Sequence, residues 1–379
     1  MKLKTIIIII GIAIMLFFQA CAAPQVGSED TLSAKIANSP QYKDGKFKND
    51  IEWKDPMIDK FFSITWKFLF GGKQREPEGI LPVATVDTAL FETPDQNQLN
   101  ATWLGHSSLM INIDGYKILA DPVFEKRISI VGPVRYNGDA PLDVAKIKQV
   151  DVVLITHNHY DHLNKFSIKA LADKTRRFVV GLGVGERLVS WGVERDKIIE
   201  LDWWEEFKCD KNLMIAATPA QHFSGRGLFD RNKSLWASFV VKAAEHKIFI
   251  SGDSGYFNGF KKIGDKYGPF DMTFIECGAY NKMWPEVHMF PEETVKAHID
   301  LKGEVLHPIH WGTFNLSMHA WFDPMNRLTA AAKSENIPVS TPIVGETTVY
   351  ASDLKQKRWW EQKKNDSSKK ALLVKLQTD

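Results

Sequence analysis

Cysteine is scarce in this sequence, since only Cys21, Cys209 and Cys277 occur in 379 residues. Cys21 follows an apolar N-terminal segment, and the two that remain are too few for a disulfide framework. We interpret Cys209 and Cys277 as two separate thiols, with a pair formed in an oxidising compartment as the alternative. The fold must therefore be stabilised by a hydrophobic core, which a chain of this length can form.

An excess of either charge is also missing. The 48 lysines and arginines nearly balance the 46 aspartates and glutamates, which gives a formal net charge of +2. This balance provides no electrostatic argument for nucleic-acid binding, so we expect no nucleic-acid partner. The hydrophobic fraction of 44% and the charged fraction of 25% are ordinary for a globular protein.

A hydrophobic run long enough to span a membrane is absent as well. Lys2 and Lys4 precede an apolar run from Ile6 to Phe18, which is about 13 residues where a span needs roughly 20. This pattern predicts a signal peptide over residues 1–20. The cysteine that follows resembles a bacterial lipoprotein signal, in which Cys21 becomes the lipidated first residue. Simple cleavage or a retained anchor are the alternatives.

We therefore predict a location at the periplasmic face of a bacterial cell envelope, with the chain anchored to the membrane surface by lipid. Residues 21–94 read as a tether and an apolar N-terminal extension. Within it, residues 57–72 are rich in aromatic side chains. They indicate a helix packed on the core or, alternatively, a segment at a membrane interface or beside an apolar substrate entrance.

Residues 351–379 form a basic tail that includes Trp359 and Trp360. We interpret it as a solvated, partly helical segment, with contact to anionic lipid headgroups as the alternative.

Residues 95–350 alternate strand and helix patterns and predict an α/β domain. A turn at Asp114-Gly115 indicates a hairpin within residues 107–121. Because hairpins are mixed with helices, we do not expect a purely parallel sheet. A helix is predicted over residues 291–301, starting at a proline followed by acidic residues. Further buried strands are predicted over 150–155, 177–181, 213–217, 237–241, 247–251, 272–276 and 304–308.

The most specific motif is Thr-His-Asn-His-Tyr-Asp-His, residues 156–162, which directly follows the strand over 150–155. Imidazole nitrogen and carboxylate oxygen are the ligands that zinc prefers. Further strands deliver His222, Asp253 and His310, with His288 somewhat later, and strand ends at one sheet edge are where such sites assemble. The sequence therefore predicts a metal site. The other histidines are interpreted as structural residues: His106, His246, His298, His307 and His319.

These segments resemble the metallo-β-lactamase superfamily and, within it, the N-acylphosphatidylethanolamine-hydrolysing phospholipase D family. The resemblance is carried by "TWLGHSS", "THNHYDHL", "GDSGY", "GAY" and "HWGTF", which lie in the family's order within about residues 95–350. It implies a four-layer αβ/βα sandwich with an N-terminal extension, two Zn²⁺ ions and a homodimer. Ligand type favours zinc over iron or manganese.

The resemblance also implies roles for individual residues. His288 contacts the scissile phosphate, Tyr160 lines the pocket beside it, and catalysis is assigned to Asp161 and His288. Asp121 orients a ligand histidine, with a simple turn carboxylate as the alternative. The first zinc is held by His157, His159 and His222, the second by Asp161, His162 and His310, and Asp253 bridges the two.

The expected chemistry is hydrolysis by a metal-held hydroxide, since zinc lowers the pKa of bound water from about 15.7 toward about 7. Two zinc ions, two aspartates and one hydroxide leave about one positive charge, which suits a phosphodiester monoanion. Phospholipase D chemistry releases phosphatidic acid and an N-acylethanolamine from the phospholipid. A lactone or other ester hydrolase of the same fold, and a non-catalytic metal-binding envelope lipoprotein, are the alternatives.

Three other classes of enzyme are disfavoured. A redox di-iron member is expected to carry glutamate in place of His159. The stretch "GLGVGE", residues 181–186, lacks the third glycine of a dinucleotide-binding loop. "GHS", residues 105–107, is not a serine nucleophile elbow.

Overall fold

The computed structural model describes residues 30–53, 56–130, 132–227 and 229–361. The predicted signal peptide with Cys21 and the part of the basic tail after residue 361 lie outside the described residues. Within those residues, no helix combines the length and apolar character that crossing a membrane requires.

The elements of the described residues alternate along the chain as the sequence predicts. The helices are α1 (Asp30–Asn38), α2 (Pro56–Phe70), α3 (Ala89–Glu92), α4 (Lys165–Leu171), α5 (Gly185–Ser190), α6 (Gly259–Tyr267), α7 (Pro291–Asp300) and α8 (Asp323–Ser334). The strands are β1 (Tyr42–Lys43), β2 (Lys46–Phe47), β3 (Leu99–Trp103), β4 (Leu109–Ile113), β5 (Tyr116–Ala120), β6 (Val150–Ile155), β7 (Thr175–Gly181), β8 (Ile198–Leu201), β9 (Glu206–Lys208), β10 (Met214–Thr218), β11 (Ser238–Lys242), β12 (Lys247–Ile250), β13 (Phe270–Glu276), β14 (Gly303–Ile309) and β15 (Thr347–Val349).

Two mixed sheets form the centre of the fold. One has the order β15-β3-β4-β5-β6-β7-β8, and the other has the order β14-β13-β12-β11-β10-β9. Strands β5 to β8 pair in parallel, as do β12 to β14, and the remaining pairs of these two sheets are antiparallel. The predicted hairpin turn is confirmed, with Asp114 and Gly115 both at positive φ between β4 and β5.

Side-chain alternation divides the core into layers. In β6, Val152 and Leu154 belong to the cluster that joins the two sheets, whereas Val153 and Ile155 join a second cluster with α4 and α5. The outer face of the second sheet is covered by α6, α7 and α8, whose buried side chains extend the first cluster. The result is helix, sheet, sheet and helix, so the predicted four-layer sandwich is confirmed.

Residues 30–53 are better ordered than a tether would be. Phe47 is fully buried, and Lys35 Nζ donates to the carbonyl of Glu200 at 2.7 Å. Asn49 pairs with the backbone of His222 through two hydrogen bonds, of 2.8 and 3.1 Å. This part of the N-terminal extension therefore packs against the loop that carries a predicted ligand, which its polar composition did not reveal.

Two interpretations of the aromatic segments need correction. Helix α2 forms as predicted, but Phe62, Trp66 and Phe70 are exposed by 84%, 65% and 69%, so these rings do not face the core. Trp359 and Trp360 are buried instead of solvated or lipid-facing, and both rings pack against Trp311. Their burial extends the core to residue 360, with the Trp359 ring stacked on Trp311 and the Trp360 ring edge to face with it.

Candidate metal centre

The carboxyl ends of five strands meet at one edge of the sandwich. In the first sheet, β6 ends at Ile155 and leads into residues 156–162. In the second sheet, β10, β12, β13 and β14 run in the same direction. Their ends lead to the other predicted site residues, which are His222, Asp253, His288 and His310. The structure therefore brings together side chains separated by up to 153 positions in the chain.

The first group consists of His157, His159, His222 and Asp253, whose ligand atoms all lie within 4.8 Å of one another. Nε2 of His157 lies 2.8 Å from Nδ1 of His159, and Nε2 of His222 lies 3.3 Å from the same atom. His157 and His222 are fully buried, which removes water as a competing partner. Three ring nitrogens and a carboxylate this close together are a donor set that can hold a divalent metal ion.

The second group consists of His106, Asp161, His162 and His310. Oδ2 of Asp161 lies 3.6 Å from Nε2 of His162 and 3.5 Å from Nε2 of His310. One carboxylate and two imidazoles thus lie close together, and their assignment to a second ion stays a prediction. His106 is an addition that the sequence interpretation placed among the structural histidines.

Asp253 lies between the two groups. Its carboxylate oxygens are 3.0 and 3.2 Å from Nε2 of His310 and His162, and 3.8 and 3.7 Å from Nε2 of His157 and His222. Oδ1 of Asp253 and Nε2 of His162 and His310 are buried without a hydrogen-bond partner. Buried polar atoms without partners are costly, so this donor set fits divalent metal.

The electrostatics of the two groups differ. Burial lowers the pKa of His159 to about 4 and holds the pKa of His157 and His222 well below the ordinary value. These rings are therefore neutral at pH 7, which is the form that binds a metal. Burial also lowers the pKa of His310, but Asp253 and Asp161 outweigh it and raise that pKa to about 10.

The pKa of His162 follows the same balance. Burial lowers it, and the carboxylates of Asp253 and Asp161 raise it well above the ordinary value. The same contacts act in the opposite sense on Asp253, where burial raises the pKa but His162 and His310 lower it well below its ordinary value. The pocket thus favours positive charge between the two carboxylates, and a divalent cation supplies that charge.

Asp121 contacts one of the proposed ligands directly. Its Oδ2 lies 2.7 Å from Nδ1 of His162, and it also accepts from the backbone N–H and hydroxyl of Thr156 at 2.8 and 2.7 Å. Asp121 is fully buried. This contact favours the orienting role predicted for Asp121 over that of a turn carboxylate.

His106 is a site residue that the sequence interpretation missed. Its Nε2 donates to Oδ2 of Asp161 at 2.8 Å, and burial with the nearby His310 lowers its pKa to about 3, so the ring is neutral. Its backbone carbonyl accepts from the N–H of His310 at 3.1 Å, and its own N–H donates to Thr313 Oγ1 at 2.6 Å. The position of "GHS" one residue after the end of β3 was the available signal.

Glu276 was also missed, because it is the last residue of a buried strand. Its Oε2 lies 2.9 Å from Nδ1 of His288, and the carboxylate is fully buried. Burial raises the pKa of Glu276, and His288 partly offsets that shift. His288 itself is half-buried and has a ligand atom within 4.8 Å of those of Asp253 and His310. The predicted substrate-contacting histidine therefore lies beside the metal groups.

Tyr160 is half-buried at the rim of the first group. Its hydroxyl donates to the carbonyl of Arg226 at 3.1 Å, and the Arg226 guanidinium lies 3.8 Å from the ring centre. Arg226 in turn donates to the carbonyls of Asn158 and Leu163 at 2.9 and 2.7 Å. This arrangement fixes the ring orientation, and a pocket-lining role for Tyr160 stays a prediction.

A beta-lactamase superfamily domain model matches residues 116–311. An uncharacterized protein of Mycobacterium bovis is 39% identical over 343 residues, which cover 87% of this chain and 90% of that protein. N-acyl-phosphatidylethanolamine-hydrolyzing phospholipase D 1 of Caenorhabditis elegans is 33% identical over 266 residues, which cover 66% of this chain and 74% of that protein.

This chain belongs to the N-acylphosphatidylethanolamine-hydrolysing phospholipase D family of the metallo-β-lactamase superfamily. The solved structure of Igni18, a metallo hydrolase of Ignicoccus hospitalis, has a TM-score of 0.52 at 23% identity and covers 67% of this chain and 98% of its own. That likeness concerns the fold alone. As a member of the phospholipase D family, the chain is a metal-dependent hydrolase, and the two groups joined by Asp253 are its candidate site for divalent metal.

Proposed function

We propose that this protein is a dinuclear zinc phosphodiesterase of phospholipase D type. It cleaves N-acylphosphatidylethanolamine-like lipids to phosphatidic acid and an N-acylethanolamine. The observation that carries the proposal is the position of Asp253, whose two oxygens lie 3.0 to 3.8 Å from ring nitrogens of both groups. One carboxylate shared between two sets of ligands is the arrangement expected of a two-metal hydrolase.

The residues present fit this assignment. His157, His159 and His222 hold the first zinc, and Asp161, His162 and His310 hold the second. Zinc, when bound, lowers the pKa of a water molecule and polarises a phosphoryl oxygen. The two groups differ in their electrostatics. The pKa of His159 in the first group is lowered to about 4, whereas the pKa of His310 in the second group is raised to about 10 by its neighbouring carboxylates. Asp253 contacts both groups.

Four further residues of the chain orient the metal ligands or contact the substrate. His106 holds Asp161 by a hydrogen bond of 2.8 Å, and Asp121 holds His162 at 2.7 Å, so that two ligands of the second zinc are oriented from behind. His288, with Glu276 on its Nδ1, presents its other nitrogen to the phosphate. Tyr160, fixed by Arg226, lines the entrance beside it.

The net charge of the metal site does not by itself identify the substrate, so the proposed substrate class rests on the family to which the chain belongs. The count that leaves one positive charge omits Glu276, whose carboxylate lies 3.8 Å from Nδ1 of His310. With Glu276 ionised and His288 neutral, that count falls to about zero, which no longer separates a phosphodiester from a neutral ester. The name of the Caenorhabditis elegans relative states that it hydrolyses N-acylphosphatidylethanolamine. We propose the same substrate class for this chain.

A membrane surface is the second partner that we propose. Phe62, Trp66 and Phe70 repeat every four residues on α2 and are exposed by 84%, 65% and 69%, which makes one aromatic stripe along the helix. Aromatic side chains on an exposed helix face favour the lipid interface. Just beyond α2, Arg75 donates to the carbonyl of Phe68 and lines a cavity that reaches His310. The C-terminal end of α2 is therefore joined by Arg75 to the lining of a cavity that includes His310.

Mass spectrometry of products tests the reaction. Zinc-loaded protein is incubated with vesicles that contain N-acylphosphatidylethanolamine and, in parallel, with a panel of lactones. We expect phosphatidic acid and N-acylethanolamine in equal amounts, two zinc ions per chain by elemental analysis, and loss of turnover in His159→Ala and Asp253→Ala. Lactone turnover without lipid turnover contradicts the lipid substrate. Zinc binding with no hydrolysis in either arm contradicts the enzyme assignment.

A further inference from the structure

Glu276 is a buried carboxylate beside His288; it makes three hydrogen bonds and also lies 3.8 Å from Nδ1 of His310. Oε1 accepts from the backbone N–H of Ser254 at 2.9 Å and from that of Met289 at 3.2 Å. Oε2 lies 2.9 Å from Nδ1 of His288. One side chain thus joins the end of β13, the loop that carries Asp253 and the loop that carries His288.

The geometry of these contacts determines which His288 nitrogen carries a proton. Oε1 is committed to two N–H donors and therefore acts as an acceptor. When the carboxylate is ionised, Oε2 is also an acceptor, so Nδ1 of His288 must be the donor. Nε2 is then the nitrogen left for the substrate. A carboxylate or carbonyl on the far nitrogen is the usual way in which a protein fixes a histidine tautomer and its ring orientation.

We propose that Glu276 is a positioning residue that holds the ring of His288 through its Nδ1–H, so that Nε2 faces the substrate and donates to a phosphate oxygen when it also carries a proton. The proposal rests on the proposed function for the role of Nε2, but the tautomer itself can be measured without any substrate. It assigns no metal contact to Glu276. Because Oε2 also lies 3.8 Å from Nδ1 of His310, the zinc content of each variant separates an effect through His288 from an effect through that ligand.

The variant Glu276→Gln is the sharpest perturbation. The amide oxygen replaces Oε1 and still accepts from Ser254 and Met289, so the loops stay connected. The amide nitrogen is then placed against Nδ1 of His288, and two donors cannot face each other. A neutral His288 must then carry its proton on Nε2 and leave Nδ1 bare, so Nε2 still faces the substrate but the Nδ1–H donated to the carboxylate is lost.

Nitrogen-15 NMR of labelled, zinc-loaded protein reads the tautomer directly. The His288 signals are identified by their loss in His288→Ala. We expect a protonated Nδ1 in the wild type and a protonated Nε2 with a bare Nδ1 in Glu276→Gln. An unprotonated Nδ1 in the wild type, or the same tautomer in both proteins, overturns the proposal even when no substrate is known.

Kinetics test whether the effect passes through His288. We expect kcat of Glu276→Gln to fall by about 10- to 100-fold, with KM and zinc content unchanged, because the lost interaction acts in the transition state. In a His288→Ala background, Glu276→Gln should cause no further loss. An equal loss in both backgrounds assigns Glu276 a purely structural role and refutes the proposal.

Glu200 offers a matched control. Its carboxylate is also buried, accepts from the N–H groups of Gly183 and Gly185 at 2.7 and 3.1 Å, and pairs with Arg195 at 2.8 Å. Glu200→Gln therefore makes the same chemical change outside the metal groups. We expect it to leave kcat within about twofold of wild type, and thermal unfolding of both variants reports any general loss of stability. A loss of kcat in Glu200→Gln equal to that in Glu276→Gln contradicts a specific role for Glu276.

Discussion

The exposed aromatic stripe of α2 predicts how much vesicle binding the protein should lose when these side chains are removed. We replace Phe62, Trp66 and Phe70 together by serine. Side chains of this kind bury roughly 150–250 Å² each when removed from water. With exposures of 84%, 65% and 69%, on the order of 130 Å² or more per residue is available for contact with lipid.

The expected loss of membrane binding can be worked from this area. When half of it enters the interface, about 25 cal/mol per Å² gives about 1.6 kcal/mol for each side chain and about 5 kcal/mol for the three. Each 1.4 kcal/mol is about a factor of ten. Since these contributions are not fully additive, we expect vesicle binding to fall by at least about 100-fold. Folding should change little, because these rings are exposed.

Two substrates separate membrane contact from chemistry. We measure kcat/KM on vesicles that contain N-acylphosphatidylethanolamine and on a short-chain analogue that is monomeric in water. The triple variant should lose activity on vesicles and keep it on the soluble analogue. Ile299→Ser, which removes an apolar side chain that is 47% exposed on α7, serves as the control and should change neither. An unchanged rate on vesicles, or an equal loss on both substrates, refutes the reasoning.

Three further predictions concern the metal centre and the core. Asp253→Ala should reduce zinc from two ions per chain to one or none by elemental analysis, and a retained pair contradicts the bridging role. Asp121→Asn replaces an acceptor of His162 with a donor, so zinc affinity measured by chelator competition should fall by about 10- to 100-fold; unchanged affinity contradicts it. Burial lowers the pKa of His298 to about 4, so the unfolded chain binds more protons between about pH 6.5 and 4. The free energy of unfolding should therefore fall by up to about 3 kcal/mol as pH drops through that window. Denaturant titrations should show a shallower fall for His298→Gln, and equal slopes contradict it.

Local patterns were sufficient for the elements that carry the site. The apolar run over 150–155 predicted β6, and the structure ends that strand at Ile155, directly before the histidine motif. The predicted helix at Pro291 also forms, with an acidic first turn. These features depend on neighbours within a few residues, because strand burial and helix starts are set by short-range periodicity and capping.

The orientation of α2 was not available from its own sequence. Its apolar composition suits a core-facing helix and a lipid-facing helix equally, and only the placement of the sandwich leaves the stripe exposed. The opposite outcome is found for Trp359 and Trp360, which lie in a basic segment but are buried with their rings packed against Trp311. Composition shows which side chains favour burial, but only the tertiary structure shows whether other apolar side chains are close enough to bury them.

The sequence by itself determined which histidines and aspartates form a candidate site for divalent metal, because residue types and their positions at strand ends are local properties of the chain. Only the tertiary structure decided what supports the ligands. His106 reaches Asp161 across 55 positions, and Asp121 reaches His162 across 41. Glu276 lies at the end of β13 and contacts His288, which lies 12 positions later in the loop before α7. Such contacts depend on which strands become neighbours, and a histidine or glutamate meets the right partner only after the two sheets have packed.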